Sequence, residues 1–136
     1  MGPQTVRYLI DSNIWIYAAA NEPRVIRFLD SAAHAEWIGY SAISRLELFG
    51  FPDLKPEDEG KLQKLLGFCA EITVNSDVID QAIALRKEKA IKAPDAIVAA
   101  TALLANATLV TRNTDDFKTI KGLLILNPFD STDSRC

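Results

Sequence analysis

Residues 96–104 read Ala-Ile-Val-Ala-Ala-Thr-Ala-Leu-Leu and hold no charge. Pro94, at a first turn, starts a helix here that runs to Ala105. A helix that is apolar almost all round must be covered on every side, so it predicts a central, buried element. The apolar stretch is interrupted by Thr101, Asn106 and Thr108 and is shorter than the ~20 residues that cross a bilayer. Other parts of the chain must therefore supply its cover.

Residues 6–10, 37–40, 72–74, 108–111 and 123–126 are short apolar runs that predict strands. Helical spacing recurs between them, over residues 14–20, 24–33, 56–68 and 77–89, and in a helix from about Ser41 that carries Ile43, Leu46 and Phe49. Asp11-Ser12-Asn13 supplies capping residues for the first helix, and Asn21-Glu22-Pro23 ends it. This alternation predicts an α/β domain with a mainly parallel sheet of four to five strands and helices on both faces. At 136 residues the chain suits one domain, over residues 1–129, with a polar tail at 130–136.

A net charge of -3 argues against broad electrostatic binding of nucleic acid. It leaves room for a nucleic-acid enzyme whose metal supplies local positive charge. Cys69 and Cys136 have neither metal-ligand spacing nor a disulfide framework. Met1-Gly2-Pro3-Gln4 lacks the basic and apolar regions of a secretory leader, so a reducing cytoplasm is the expected location.

Against this background the acids stand out. Asp11 ends the run Tyr8-Leu9-Ile10, Glu47 lies inside the helix after the second strand, Asp95 opens the charge-free helix, and Asp115 and Asp116 follow the 108–111 strand. Carboxylates are rarely attached to core segments without a partner. Each has a local explanation. Asp11 can cap a helix, Ser44-x-x-Glu47 matches a capping box, Asp95 suits a helix N-terminus, and Asn113-x-x-Asp116 suits a turn. Those explanations are independent, whereas one hard divalent cation accounts for all four. Sites in open parallel sheets form at the carboxyl ends of strands. If the first strand and the 108–111 strand are neighbours, Asp11 converges there with Asn113, Asp115 and Asp116. Such a carboxylate set suits Mg²⁺ or Mn²⁺ and phosphodiester hydrolysis.

At these residues the chain resembles PIN-domain ribonucleases, and more narrowly the VapC toxins of toxin–antitoxin pairs. The matching pieces are Leu9-Ile10-Asp11-Ser12-Asn13, Ser41-Ala42-Ile43-Ser44-Arg45-Leu46-Glu47-Leu48, Lys92-Ala93-Pro94-Asp95-Ala96, and Leu109-Val110-Thr111-Arg112-Asn113-Thr114-Asp115-Asp116-Phe117. They fall in the family's order across nearly the whole chain. The resemblance implies a PIN-like three-layer α/β/α sandwich and Mg²⁺- or Mn²⁺-dependent endoribonuclease activity. It carries the acidic positions onto Asp11, Glu47 and Asp95, and favours Asp116 over Asp115 for the fourth. Ser12, Asn13, Thr111 and Asn113 take supporting places that orient carboxylates or water. It further implies an RNA substrate, a cognate antitoxin, a homodimer and no membrane, with residues 56–68 and 77–89 as candidate contact helices.

Rival readings lack their motifs. A haloacid-dehalogenase-type phosphatase needs a second acid where Asn13 stands. A receiver-like signalling domain needs a lysine near Leu126-Asn127-Pro128, and a dinucleotide site needs a glycine-rich loop. A PIN fold that only binds partners remains a rival without a distinguishing motif. His34 reads as a surface residue, Arg45 and Arg112 as members of solvated salt bridges, and Trp15, Tyr17 and Trp37 as core aromatics.

Overall fold

A computed structural model describes residues 6–130. The expected polar tail lies outside the described residues apart from Asp130, whose backbone N–H donates to Asn127 O (3.0 Å); Cys136 also lies outside them. The strands are β1 (Arg7–Ile10), β2 (Trp37–Ser41), β3 (Ala70–Ile72), β4 (Thr108–Val110) and β5 (Ile125–Leu126). All pair in parallel in the order β3-β2-β1-β4-β5. The expected sheet is thus found with five strands and no antiparallel pair. Receiver-type domains use the order 2-1-3-4-5, so this topology sets that rival aside.

The helices are α1 (Ser12–Ala19), α2 (Pro23–Ser31), α3 (Ala42–Phe49), α4 (Pro56–Gly67), α5 (Ser76–Glu88), α6 (Ala93–Leu104) and α7 (Thr114–Phe117). Alternate strand residues divide between two cores, as the period of two requires. Leu9 and Leu109 pack with α5, α6 and Phe117 on one face of the sheet. Ile10 and Val110 pack with α1, Leu48 of α3, and Leu62 and Leu66 of α4 on the other. The result is the three-layer α/β/α sandwich.

Helix α6 buries Ala96, Val98, Ala99, Ala100, Thr101 and Ala102. Its alanines let α5 and the sheet approach from either side, and Val78, Ala82 and Leu85 of α5 join the same core. The buried Thr101 hydroxyl is satisfied by donating to Ile97 O (2.7 Å). The helix reaches solvent only at its ends, at Ala93 and Pro94 and at Leu104.

Three local expectations are corrected. The third strand lies at Ala70–Ile72, not at 72–74: it is an edge strand whose pairing to β2 runs from Gly39↔Ala70 to Ser41↔Ile72. Ser44-x-x-Glu47 is not a capping box. Ser41 caps α3 by accepting from Ile43 N (3.2 Å), and Ser44 is buried one turn in. Leu46, expected on the inner face of α3, is 66% exposed because Ser44 and Leu48 take the buried face. One short helix, α7, went unrecognised in the turn-like run after β4.

Candidate active site

The sheet order reverses between β1 and β4, because the chain builds outward from β1 through β2 and β3, then returns to the other side of β1. Open α/β sheets bind ligands outside the carboxyl ends of strands at such a point. Asp11 leaves β1 there, and its N–H donates to Val110 O of β4 (2.9 Å). The neighbouring of strands on which the convergence of acids depended is therefore present.

Asp11 is buried and held by three donors. Oδ1 accepts from Ser12 N (2.8 Å), and Oδ2 accepts from Thr111 Oγ1 (2.9 Å) and Asn13 Nδ2 (3.2 Å). Asp11 is also the N-cap of α1, so its local and site readings coexist. Thr111, fully buried, accepts in turn from Asn113 N (3.1 Å). Ser12 Oγ donates to Glu47 Oε1 (2.7 Å), which links α1 to α3.

The electrostatics identify the set. Burial pushes the Asp11 carboxyl above its ordinary range, and nearby Glu47 adds to this against the lowering effect of the three hydrogen bonds. Asp95 is raised by burial and then by three charges, those of Asp11, Asp116 and Glu47; Lys92 opposes them. Asp95 thus feels the other three preferred acids, and Asp11 feels Glu47. Asp115 is not among the charges acting on Asp95. It is exposed and pairs with Lys118 along its own helix (3.1 Å). Asn113 precedes α7 without a side-chain capping bond. Among the described residues, no three His, Cys, Asp or Glu side chains form a ready-made metal cluster; the acids are coupled through space rather than pressed together.

Arg112 departs from expectation. It forms no salt bridge among the described residues. Its guanidinium lies over Phe129 (4.1 Å) and Tyr17 (5.1 Å) and donates to Tyr17 Oη (2.6 Å). Phe129 carried no signal in the sequence, since it follows the last strand and meets α1 only through the fold. Arg45 does pair with an acid, Glu71 of β3, with Nη2 to Oε2 at 3.1 Å. Trp15 is buried as expected, while Tyr17 and Trp37 are partly buried.

Residues 8–123 match the PIN domain family model. The chain belongs to the PIN-domain family. Among solved structures, this PIN domain is similar to a chain of VapBC2 from Rickettsia felis, a complex bound to a DNA fragment from its promoter. That match has 28% identity and a TM-score of 0.80 over 90% of this chain and 98% of the other. It is also similar to a chain of a toxin–antitoxin complex from Klebsiella pneumoniae (31% identity, TM-score 0.76, 90% and 98% covered). A chain of VapBC-1 from nontypeable Haemophilus influenzae shares the fold at 23% identity (TM-score 0.74, 92% and 100% covered). No curated protein matches the chain in sequence. The resemblance to VapC-like PIN proteins therefore holds in both family and fold. No helix among the described residues is long and apolar enough to cross a membrane.

Proposed function

We propose that this PIN domain is a Mg²⁺- or Mn²⁺-dependent endoribonuclease and the toxin of a VapBC-type pair. Membership of the PIN family supports nuclease chemistry in general, and the VapBC complexes among its structural neighbours support an antitoxin partner and the toxin role. The observation that carries the reading is the coupling of Asp95 to Asp11, Glu47 and Asp116 at the edge where β1 lies beside β4. Four carboxylates brought into electrostatic reach of Asp95 would supply the hard oxygen donors that such a cation prefers.

Asp11 and Asp95 would hold the ion, with Glu47 and Asp116 completing the set directly or through water, since Mg²⁺ keeps several of its waters. When bound, the metal supplies Lewis acidity toward the phosphodiester and its attacking water. The chain's own residues prepare the geometry. Ser12, Asn13 and Thr111 fix both oxygens of Asp11. Ser12 also turns Glu47 toward the edge. Asp116, exposed at the start of α7, is free to orient a water or accept its proton. No histidine is needed; His34 is exposed on a short helical turn after α2. By family likeness the active unit is a homodimer in the cytoplasm.

The test is RNA cleavage with Mg²⁺ or Mn²⁺, with and without EDTA, in the parent, Asp11→Asn and Asp95→Asn. Cleavage should need the metal and vanish in both variants. Metal-independent cleavage, or variants as active as the parent, would sink the mechanism.

A further inference from the structure

Phe129 lies between two guanidinium groups. Arg112 sits 4.1 Å from its ring centroid and Arg24 sits 4.6 Å from it. Two like charges gathered on one ring repel each other, and the contact with a ring face compensates each only modestly at an exposed site. Arg24 is partly balanced by Glu22, whose Oε2 accepts from Nε (3.0 Å). Arg112 has no carboxylate in ion-pair range among the described residues. It uses one N–H on Tyr17 and is otherwise exposed. A guanidinium has five N–H donors in a planar fork, so most of this fork is open to a ligand.

The position of Arg112 is tied to the acids. It stands between Thr111 and Asn113, and its backbone N–H donates to Asn13 Oδ1 (3.2 Å). Asn13 also donates to Asp11. Asn13 and Tyr17 are four apart on α1 and therefore share a face. One face of α1 thus holds Arg112 at both ends, the backbone at Asn13 and the guanidinium at Tyr17. The charged group is carried about one helical turn, roughly 5.4 Å, along α1 from the residue that orients Asp11. That reach is comparable to the step between successive phosphates on a single strand. In a chain of net charge -3, two arginines on one ring, with Glu22 the acid within their electrostatic reach, are a local exception.

We propose that Arg112 and Arg24, braced on Phe129 and Tyr17, bind backbone phosphates of single-stranded RNA next to the one positioned at the acids. Planar bidentate recognition of phosphate is what arginine does better than lysine. The aromatic brace fixes the fork before the strand arrives, so less side-chain entropy is lost on binding. This rests on the ribonuclease reading and adds to it the side of the cleft along which the strand runs.

The test separates binding from cleavage. In an Asp95→Asn background, a fluorescent random-sequence single-stranded oligoribonucleotide is titrated over a range of salt concentrations. For single strands, log K falls with log salt with a slope of about -0.7 per phosphate neutralised. Arg112→Gln and Arg24→Gln should each reduce the slope by about 0.7, and weaken binding about fivefold near 0.1 M salt. Arg24 is peripheral, so its variant keeps the test informative if Arg112→Gln perturbs folding. Tyr17→Phe should weaken binding with the slope unchanged, because the charge stays but loses its brace. Lys87→Gln, a charge removed from exposed α5, should change neither. RNA binding with the parental slope in both arginine variants overturns the inference and leaves the ribonuclease reading standing. Failure of the protein with both arginines intact to bind RNA removes that reading and the inference with it.

Discussion

Glu71, on the edge strand β3, faces a base; Asp95, in the first turn of α6, faces acids. Arg45 holds the Glu71 carboxyl below its usual range. Burial, with Asp11, Asp116 and Glu47, holds Asp95 above it. The same chain pairs one carboxylate with a base and sets another among acids, with Lys92 opposing. A fold selected for stability alone has no reason to place Asp95 among other acids, because their charges oppose its ionisation. The Glu71 pair is an exposed ion pair of small consequence, and the Asp95 set is a candidate for function.

The sharpest way to break the contrast is within α7. Asp116→Asn should lower RNA cleavage by about tenfold to a hundredfold, and Asp115→Asn should leave it near the parental rate. Equal losses would show that the coupling to Asp95 does not select the working acid. Mg²⁺ comes next. At about a hundred times its Kd it should stabilise the parent by about 2.7 kcal/mol in thermal unfolding, and Asp95→Asn should lose most of that gain. A parent whose melting ignores Mg²⁺ and Mn²⁺ would leave the acids without their cation. Ser12→Ala, which frees Glu47 from its donor, should cost about tenfold in cleavage with little change in unfolding temperature.

Smaller effects come from pH, and here the two acids differ in sign. Metal-free protein should be most favoured with Asp95 protonated, below the unfolded carboxyl value of about 3.9. The folded pKa is raised, so the contribution of Asp95 to stability is lost as pH rises through it. Asp95→Asn should therefore be the more stable protein at neutral pH without metal, and its advantage should shrink on acidification. Glu71 behaves oppositely: its folded pKa is lowered, so its contribution is present above the unfolded value and lost as pH falls. Glu71→Gln should be slightly less stable at neutral pH, with cleavage unchanged. Melting curves of the two variants from acidic to neutral pH check both signs; matching slopes would erase the distinction.

Core chemistry offers a control about two helical turns from Asp95. Ala102 is fully buried in the layer where α6 meets α5 and the sheet. Ala102→Leu should cost about 1–3 kcal/mol through overpacking. Metal affinity should be retained in the folded fraction.

Apolar periodicity and capping residues placed the helices other than α7 and most strands, because each such pattern is local. Asp11, Glu47, Asp95 and Asp116 could be singled out because a charge attached to an apolar run is visible without coordinates. The third strand was misplaced by two residues because Val74, though outside β3, packs against the core with Ile72 and so has the same apolar character. Ser44-x-x-Glu47 misled because the same spacing fits any start within one turn, and Ser41 offers an earlier cap. Leu46 shares the helical spacing of Ile43 and Phe49, but the face of a short helix is fixed by what it packs against.

The chain's residues alone determined the α/β alternation, the buried alanine-rich helix and which carboxylates are out of place. These follow from side-chain period and from the cost of putting charge beside apolar segments. Only the tertiary structure decided that β1 lies against β4, that Asp95 feels Asp11, Glu47 and Asp116, and that Arg112 stacks on Phe129 instead of pairing with an acid. Those are contacts between residues far apart in sequence, such as Asp11 with Thr111 and Arg24 with Phe129. Sheet order and the faces turned together by packing create them, and no local pattern in the chain encodes either.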